Sequence, residues 1–346
     1  MDSPRIARYW EKSSNSNEVI CRLCPHACLI KVGRRGRCGV RENVGGQLLS
    51  LNYGRAIAAH VDPIEKKPFF HVLPASRSLS VATVGCNLTC AHCQNHDISQ
   101  WPATESGSMP GQAMGAAEVV AEANRSACAT IAFTYTEPTI FMEWAQDIAT
   151  AASEDERPEA PRCVAVSNGF VQARPIEDFE GRLLAANVDL KSFRDEFYRH
   201  SCGGRLQPVC DTIARMRALG ICVEVTTLLI PELNDSPEEL RAMAAFLASV
   251  DPSMPWHLSR FHPDHRLIDR GPTPVESIRR ARDIGRAAGL RFVYSGNVWG
   301  DEGESTRCPA CDALLIERHG FAVRSDRLGD SGRCPDCAEP IAGIWT

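Results

Sequence analysis

The chain has 346 residues and a mass of 37.9 kDa, a length that suits one large domain with appendages, or two domains. Its 44% hydrophobic and 23% charged residues are ordinary for a globular protein and exclude wholesale disorder or a coiled coil. A formal charge of −5 and a pI near 6.1 argue against a surface dedicated to nucleic acid or anionic membrane, so neither partner is expected.

The first 19 residues contain no apolar run, so no secretory leader is expected. No apolar stretch of about 18 residues is present to span a membrane. A cytoplasmic location follows as an expectation, and with it metal binding rather than disulfides for the 16 cysteines. Most of them are grouped. Residues 1–78 form a Cys-, Gly- and Arg-rich segment with Cys21-x2-Cys24-x3-Cys28-x9-Cys38. That group suits a zinc ion or an auxiliary iron–sulfur cluster, and the spacing does not choose between them. The basic stretch 31–37 reads as a solvated loop.

From residue 79 to 300 strands alternate with helices. Strands are expected at 79–85, 129–135, 162–169, 187–191, 221–230, 256–261 and 290–296. Helices are expected at 116–125, 139–153, about 175–185, 207–220, 236–250 and 273–289. Ser236-Pro-Glu-Glu reads as a capped helix start, and Gly220 as a helix stop. Such alternation means a parallel sheet with helices packed outside. Seven strands are one short of a full eight-stranded barrel, so the fold class is α/β, a partial, open β/α barrel. Chemistry in such sheets sits at the carboxyl ends of strands. The polar motifs fall there: Cys86-x3-Cys90-x2-Cys93, Thr136-Glu137-Pro138, Ser167-Asn168-Gly169, Asp189-Leu190-Lys191 and His257. Three thiolates in one short loop hold three corners of an iron–sulfur cube and leave one iron open; zinc with His92 or His96 as a further ligand is the alternative. Asp189 and Lys191 are also read as an ion pair across neighbouring strands.

Residues 301–346 carry Cys308-x2-Cys311 and Cys334-x2-Cys337 with 22 residues between the pairs. Four thiolates on two turns read as a C-terminal zinc ribbon, which stabilises a module too small to fold alone. Cys128, Cys163, Cys202, Cys210 and Cys222 are expected to be small buried apolar residues. The loops 97–115 and 297–307 are read either as covers of the barrel mouth or as linkers.

CNLTCAHC after the first barrel strand resembles the radical S-adenosylmethionine (radical SAM) superfamily. The resemblance implies a 4Fe–4S cluster on Cys86, Cys90 and Cys93, with the open iron chelated by the amino and carboxylate groups of S-adenosylmethionine. It further implies one-electron cleavage to a 5′-deoxyadenosyl radical that abstracts hydrogen from a substrate. His92, at a position often aromatic, then contacts the adenine. FTYTEP (133–138) is similar to the superfamily's GGEP-type motif, with Tyr135 and Thr136 replacing the glycines. It makes Glu137 the acceptor for the methionine ammonium. VSNG, DLK and PWHLSRF are similar to segments of glycyl-radical activating enzymes, which places Ser167, Asn168, Asp189, Lys191 and His257 around the methionine and ribose. Those enzymes have an Asp where this chain has Val166, so a bound monovalent cation is not expected.

Over nearly its whole length, including AAHVDPIEKKPFFHVLP, TVGCNLTCAHCQNHDISQ and GNVWGDEGESTRCP, the chain resembles the AmmeMemoRadiSam-system radical SAM enzymes, which are pyruvate formate-lyase activating enzyme-like. Memo-type and AMMECR-domain proteins are the partners this implies, with a low-potential electron donor such as flavodoxin or ferredoxin. A radical SAM enzyme is the leading expectation. A glycyl-radical activating enzyme and a non-catalytic zinc or iron–sulfur scaffold are the alternatives.

Overall fold

The computed structural model describes residues 5–14, 17–101 and 108–346. At its centre is an eight-stranded sheet. β1 (Ala58–Pro63) and β2 (Arg77–Ala82) pair antiparallel, with Ala58 opposite Ala82. β3 (Thr130–Phe133), β4 (Arg162–Ser167) and β5 (Leu183–Asp189) follow, each parallel to the strand before it. β6 (Cys222–Leu229), β7 (Trp256–Arg260) and β8 (Val293–Gly296) continue the same way. The order across the sheet is the order along the chain, with β1 and β8 at opposite edges. This is the open β/α architecture expected from the alternation.

The helices between these strands are α1 (Ala116–Arg125), α2 (Met142–Ser153), α3 (Leu206–Ala218), α4 (Pro237–Val250) and α5 (Val275–Ala287). Ser236 caps α4 by accepting from the Glu239 backbone N–H at 3.3 Å, as the Ser-Pro-Glu-Glu start predicts. Gly220 follows α3 at φ +80°, a left-handed position that glycine takes without steric cost. Two elements differ from expectation. The helix at 175–185 shrinks to Ala173–Glu177, because the apolar run from Leu183 belongs to β5. β1 was not expected, since as an edge strand it buries little and carries no apolar run.

The N-terminal segment adds small antiparallel sheets, one of Arg5–Ile6, Gln47–Ser50 and Arg41–Val44 and one of Trp10–Lys12, Val19–Cys21 and Leu29–Ile30. A fully buried ion pair between Arg41 and Glu143 joins it to α2. At the other end Thr306–Arg307, Leu314–His319 and Ala322–Asp326 form a three-stranded sheet. Its apolar side shares a core with Phe70, Phe292 and Tyr294. Among the described residues no helix is long and apolar enough to cross a membrane, and none of the 16 cysteines forms a disulfide.

The last residues return to the barrel. Leu73 N–H donates to Ile344 O and Ile344 N–H to His71 O, each at 2.7 Å. Buried His71 is held at both ring nitrogens, Nδ1 2.6 Å from Ala342 O and Nε2 2.6 Å from the Tyr294 hydroxyl. Burial outweighs the nearby Glu224 carboxylate and lowers its pKa from 6.5 to about 4. Between those pH values the unfolded chain binds a proton that the folded chain refuses, so stability falls as pH falls. His71 is expected to contribute at most about 1.4 kcal/mol per pH unit to the slope of unfolding free energy against pH in this window. Urea unfolding of His71→Gln from pH 6.5 to 4 should show a correspondingly shallower slope, and an unchanged slope would refute the assignment.

Candidate active site

A cavity of about 450 Å³ opens where the parallel strands end. The chain enters it directly from β2. Gly85, at φ +102°, donates its N–H to Ile98 O at 3.0 Å and turns the backbone into the Cys86–Cys93 loop. The loop is pinned from outside. Thr89 N–H donates to Cys202 O and Ala91 N–H to Ser201 O, both at 2.8 Å, and Arg266 N–H donates to Ala91 O at 3.0 Å. The partners at 201–202 lie on a π-helical turn, Tyr198–Cys202. Asn87 donates from Nδ2 to Phe170 O at 2.7 Å. With its backbone so fixed, the loop presents Cys86, Cys90 and Cys93 to the cavity.

The opposite wall is polar. Glu137 is fully buried, and its carboxylate accepts four hydrogen bonds: Thr139 N–H at 3.0 Å, Thr139 hydroxyl at 2.6 Å, Ser167 hydroxyl at 2.8 Å and Asn168 N–H at 2.8 Å. Burial raises its pKa against these donors. Ser167 and Asn168 line the cavity, and Glu137 reaches it through them. Asn168 also donates from Nδ2 to Asn87 Oδ1 at 2.8 Å and lies 3.6 Å from Cys86 Sγ. The Ser-Asn-Gly turn is thereby locked to the cysteine loop.

Asp189 and Lys191 both line the cavity and form an ion pair of 2.7 Å. The pair expected between neighbouring strands therefore lies at the end of one strand, two residues apart. Burial disfavours the Lys191 ammonium, but the Asp189 carboxylate outweighs it and holds the pKa above the usual lysine range. His92 is buried, with Nδ1 unpartnered among the described residues and its ring tilted against Phe197 at 6.0 Å. Burial, then Lys191, lowers its pKa to about 3, so the imidazole is neutral. His257 stacks on Tyr294 and sits 2.5 Å from Glu224 Oε2.

Several residues here were not foreseen. Glu224, inside the apolar strand ICVEVTTLLI, accepts from the Phe70 and His71 backbone N–H groups at 3.0 and 2.8 Å as well as facing His257. Burial works against its ionisation, but the hydrogen bonds from His257 and from the His71 backbone N–H prevail and lower its pKa. A lone acid in such a strand is the signal that could have found it. Tyr135 adopts φ +62°, the left-handed conformation that a glycine takes easily. Its hydroxyl donates to Asp62 at 2.5 Å, and Lys67, 2.7 Å from the same carboxylate, lies 4.3 Å over its ring. Cys202 is buried as expected, yet it lies against the site: Cys90, His92 and Cys202 offer ligand atoms within 4.8 Å of one another. Cys222 is only half-buried, whereas Cys128, Cys163 and Cys210 are buried.

The mouth is built by residues 297–304 and by the C-terminal sheet. Trp299 (69% exposed) and Phe321 (38%) meet edge to face at 6.0 Å. Gly320 is at φ +60°, and a Cβ there would meet Trp299 at 2.6 Å. Of the loops read as covers or linkers, 297–307 contributes Asn297, Trp299 and Glu304 to the cavity lining; residues 102–107 of the other lie outside the described residues. Cys308, Cys311, Cys334 and Cys337 gather within 4.8 Å, with Cys308–Cys337 and Cys311–Cys334 both at 3.6 Å. Cys21, Cys24, Cys28 and Cys38 surround a separate, small cavity behind the Cys86 loop.

Residues 80–247 match the radical SAM superfamily. An uncharacterized protein of Methanocaldococcus jannaschii is 41% identical over 339 residues, 97% of this chain and 98% of the other. Among solved structures, a radical SAM methyltransferase from Sphaerobacter thermophilus is similar with a TM-score of 0.49 and 16% identity, covering 90% of this chain and 81% of that one. A domain of pyruvate-formate lyase-activating enzyme from Bacteroides vulgatus has a TM-score of 0.42 and 18% identity, covering 49% of this chain and 99% of that domain.

Glu137 tests the wall directly. Glu137→Gln replaces one acceptor oxygen by a donor, leaving at least one of the buried groups at Thr139, Ser167 or Asn168 unpaired. The expected cost is about 1–3 kcal/mol in urea unfolding, and no measurable cost would mean that the carboxylate does not hold the Ser167-Asn168 turn.

Proposed function

The chain belongs to the radical SAM superfamily, and from that premise we propose that it reductively cleaves S-adenosylmethionine and uses the 5′-deoxyadenosyl radical to remove hydrogen from a substrate. The observation that carries this reading is the Cys86–Cys93 loop, fixed by its backbone so that all three thiols face one cavity at the strand ends. A three-thiol loop suits a 4Fe–4S cluster with one iron left for the cofactor. When bound, that cluster supplies the electron that breaks the sulfonium C–S bond, the electron coming from a low-potential carrier of the flavodoxin or ferredoxin kind.

The chain's own residues would bind and orient. Asp189 and Lys191 offer an acceptor and a donor to a zwitterionic amino acid, and Ser167 and Asn168 offer neutral polar groups held rigid by Glu137. The neutral ring of His92 presents a flat face for stacking. Trp299 and Phe321 at the mouth help to keep water from a reactive intermediate. The same reading assigns zinc to Cys308, Cys311, Cys334 and Cys337, whose 3.6 Å edges match the edge of about 3.8 Å of a tetrahedron with Zn–S bonds of about 2.3 Å.

Anaerobically reconstituted, dithionite-reduced protein should convert S-adenosylmethionine to 5′-deoxyadenosine and methionine, followed by liquid chromatography with mass detection. Cys90→Ala should fall to the background rate. No cleavage by a protein with a full cluster, together with an EPR signal unmoved by the cofactor, would overturn the reading.

A further inference from the structure

The four N-terminal thiols do not have the geometry of a single-ion site. Among the described residues, the groups whose ligand atoms lie within 4.8 Å of one another include the C-terminal four but no three of Cys21, Cys24, Cys28 and Cys38. One tetrahedral ion with metal–sulfur bonds of about 2.3 Å needs edges of about 3.8 Å. The N-terminal thiols instead stand around a hollow that leaves about 20 Å³ to the centre of a water molecule. For a rounded space and a sphere of about 1.4 Å radius, that corresponds to a hollow roughly 6 Å across, the scale of a cluster rather than an ion.

A second observation points into the same hollow. Arg41 lines it and is 1% exposed. Its Nη2 is bound to Glu143, but Nε and Nη1 have no acceptor among the described residues. A buried guanidinium left with free donors is costly unless something accepts from it. Sulfide or thiolate sulfur of a cluster would do so, while the Arg41–Glu143 pair itself adds no net charge. The hollow also abuts the active site. His26 and Asn87 line it, His26 Nε2 is 2.7 Å from Asn87 O, and Asn87 adjoins Cys86.

We infer that Cys21, Cys24, Cys28 and Cys38 hold a second, four-iron iron–sulfur cluster, with Arg41 as its buried hydrogen-bond donor, directly behind the Cys86–Cys93 loop. This site does not depend on the proposed radical chemistry, and one set of variants separates the two.

The full-length chain carrying Cys86→Ala, Cys90→Ala and Cys93→Ala is reconstituted anaerobically with iron and sulfide, then analysed for metal and by EPR after dithionite. About four irons and four sulfides per chain, with a cluster signal indifferent to S-adenosylmethionine, are expected, against about eight irons in the unsubstituted chain. Zinc in place of iron, about two irons, or no iron in a folded triple variant overturns the inference. Cys24→Ser/Cys38→Ser should keep about four irons and a signal that responds to S-adenosylmethionine. Should it not fold, Mössbauer spectra of the triple variant decide alone. Irons kept by the triple variant with no cofactor response in the unsubstituted chain would sink the radical SAM reading and leave this cluster standing.

Discussion

Everything at the site depends on one constraint: seven successive strands run parallel and in chain order. A chain so wound must bring every loop that leaves a strand's carboxyl end to the same rim. Residues spread from Cys86 to Asn297 therefore line one cavity, joined by residues 65–68 and 70 from the β1–β2 connection and by Gly320 and Phe321 from the C-terminal sheet. The cysteine loop comes from β2, Tyr135 and Thr136 from β3, Ser167 and Asn168 from β4, and Asp189 and Lys191 from β5. The helices contribute by filling the outside: Trp144 of α2 is fully buried there, as is Trp256 of β7.

Such a rim concentrates polar groups where water is scarce, and each must find partners. Three buried carboxylates meet this need, and in doing so they connect elements far apart in sequence. Glu137 ties β3 to the Ser167-Asn168 turn. Glu224 in β6 ties the Phe70-His71 backbone to His257 in β7. Asp62 in β1 gathers Lys66, Lys67 and Tyr135. An acid with several donors is a stiff joint, because losing any one donor leaves charge or a lone pair uncompensated in a low dielectric. The cavity wall is thus rigid before any cofactor enters, which is what orientation of a reactive species requires.

Much of this was legible from the residues. Apolar runs and their punctuation placed the seven parallel strands, because a buried parallel strand needs a continuous apolar segment. The edge strand β1 was invisible for the same reason: with mostly exposed residues it has nothing to mark it. The residues that face the cavity stood out as polar groups at strand ends. Those that hold them in place did not. Tyr135, Asp62 and Lys67 act through a pairing 73 residues apart in sequence, and nothing local to either partner reports it. Glu224 was marked by being an acid in an apolar strand, but its partners come from Phe70, His71 and His257, and only the fold brings those together. Cys202 looked like any small core residue until the π-helical turn placed it beside Cys90.

The two flanking cysteine groups show where spacing stops being informative. Both put four thiols on short turns, and sequence separation alone constrains only how far apart they can be. What distinguishes them is what the fold places around the sulfurs. The C-terminal four close on one another at 3.6 Å on a largely exposed turn pair, so four thiolates and one ion form a self-sufficient unit. The N-terminal four are held apart by separate strands and turns, with an arginine buried among them whose donors the protein leaves open. A fold tolerates such a residue when the missing acceptor arrives with a guest. The hollow, the separated thiols and the open guanidinium are three consequences of one local architecture, and a sulfur-rich cluster satisfies all three, where a single ion leaves the hollow and the thiol separation unexplained.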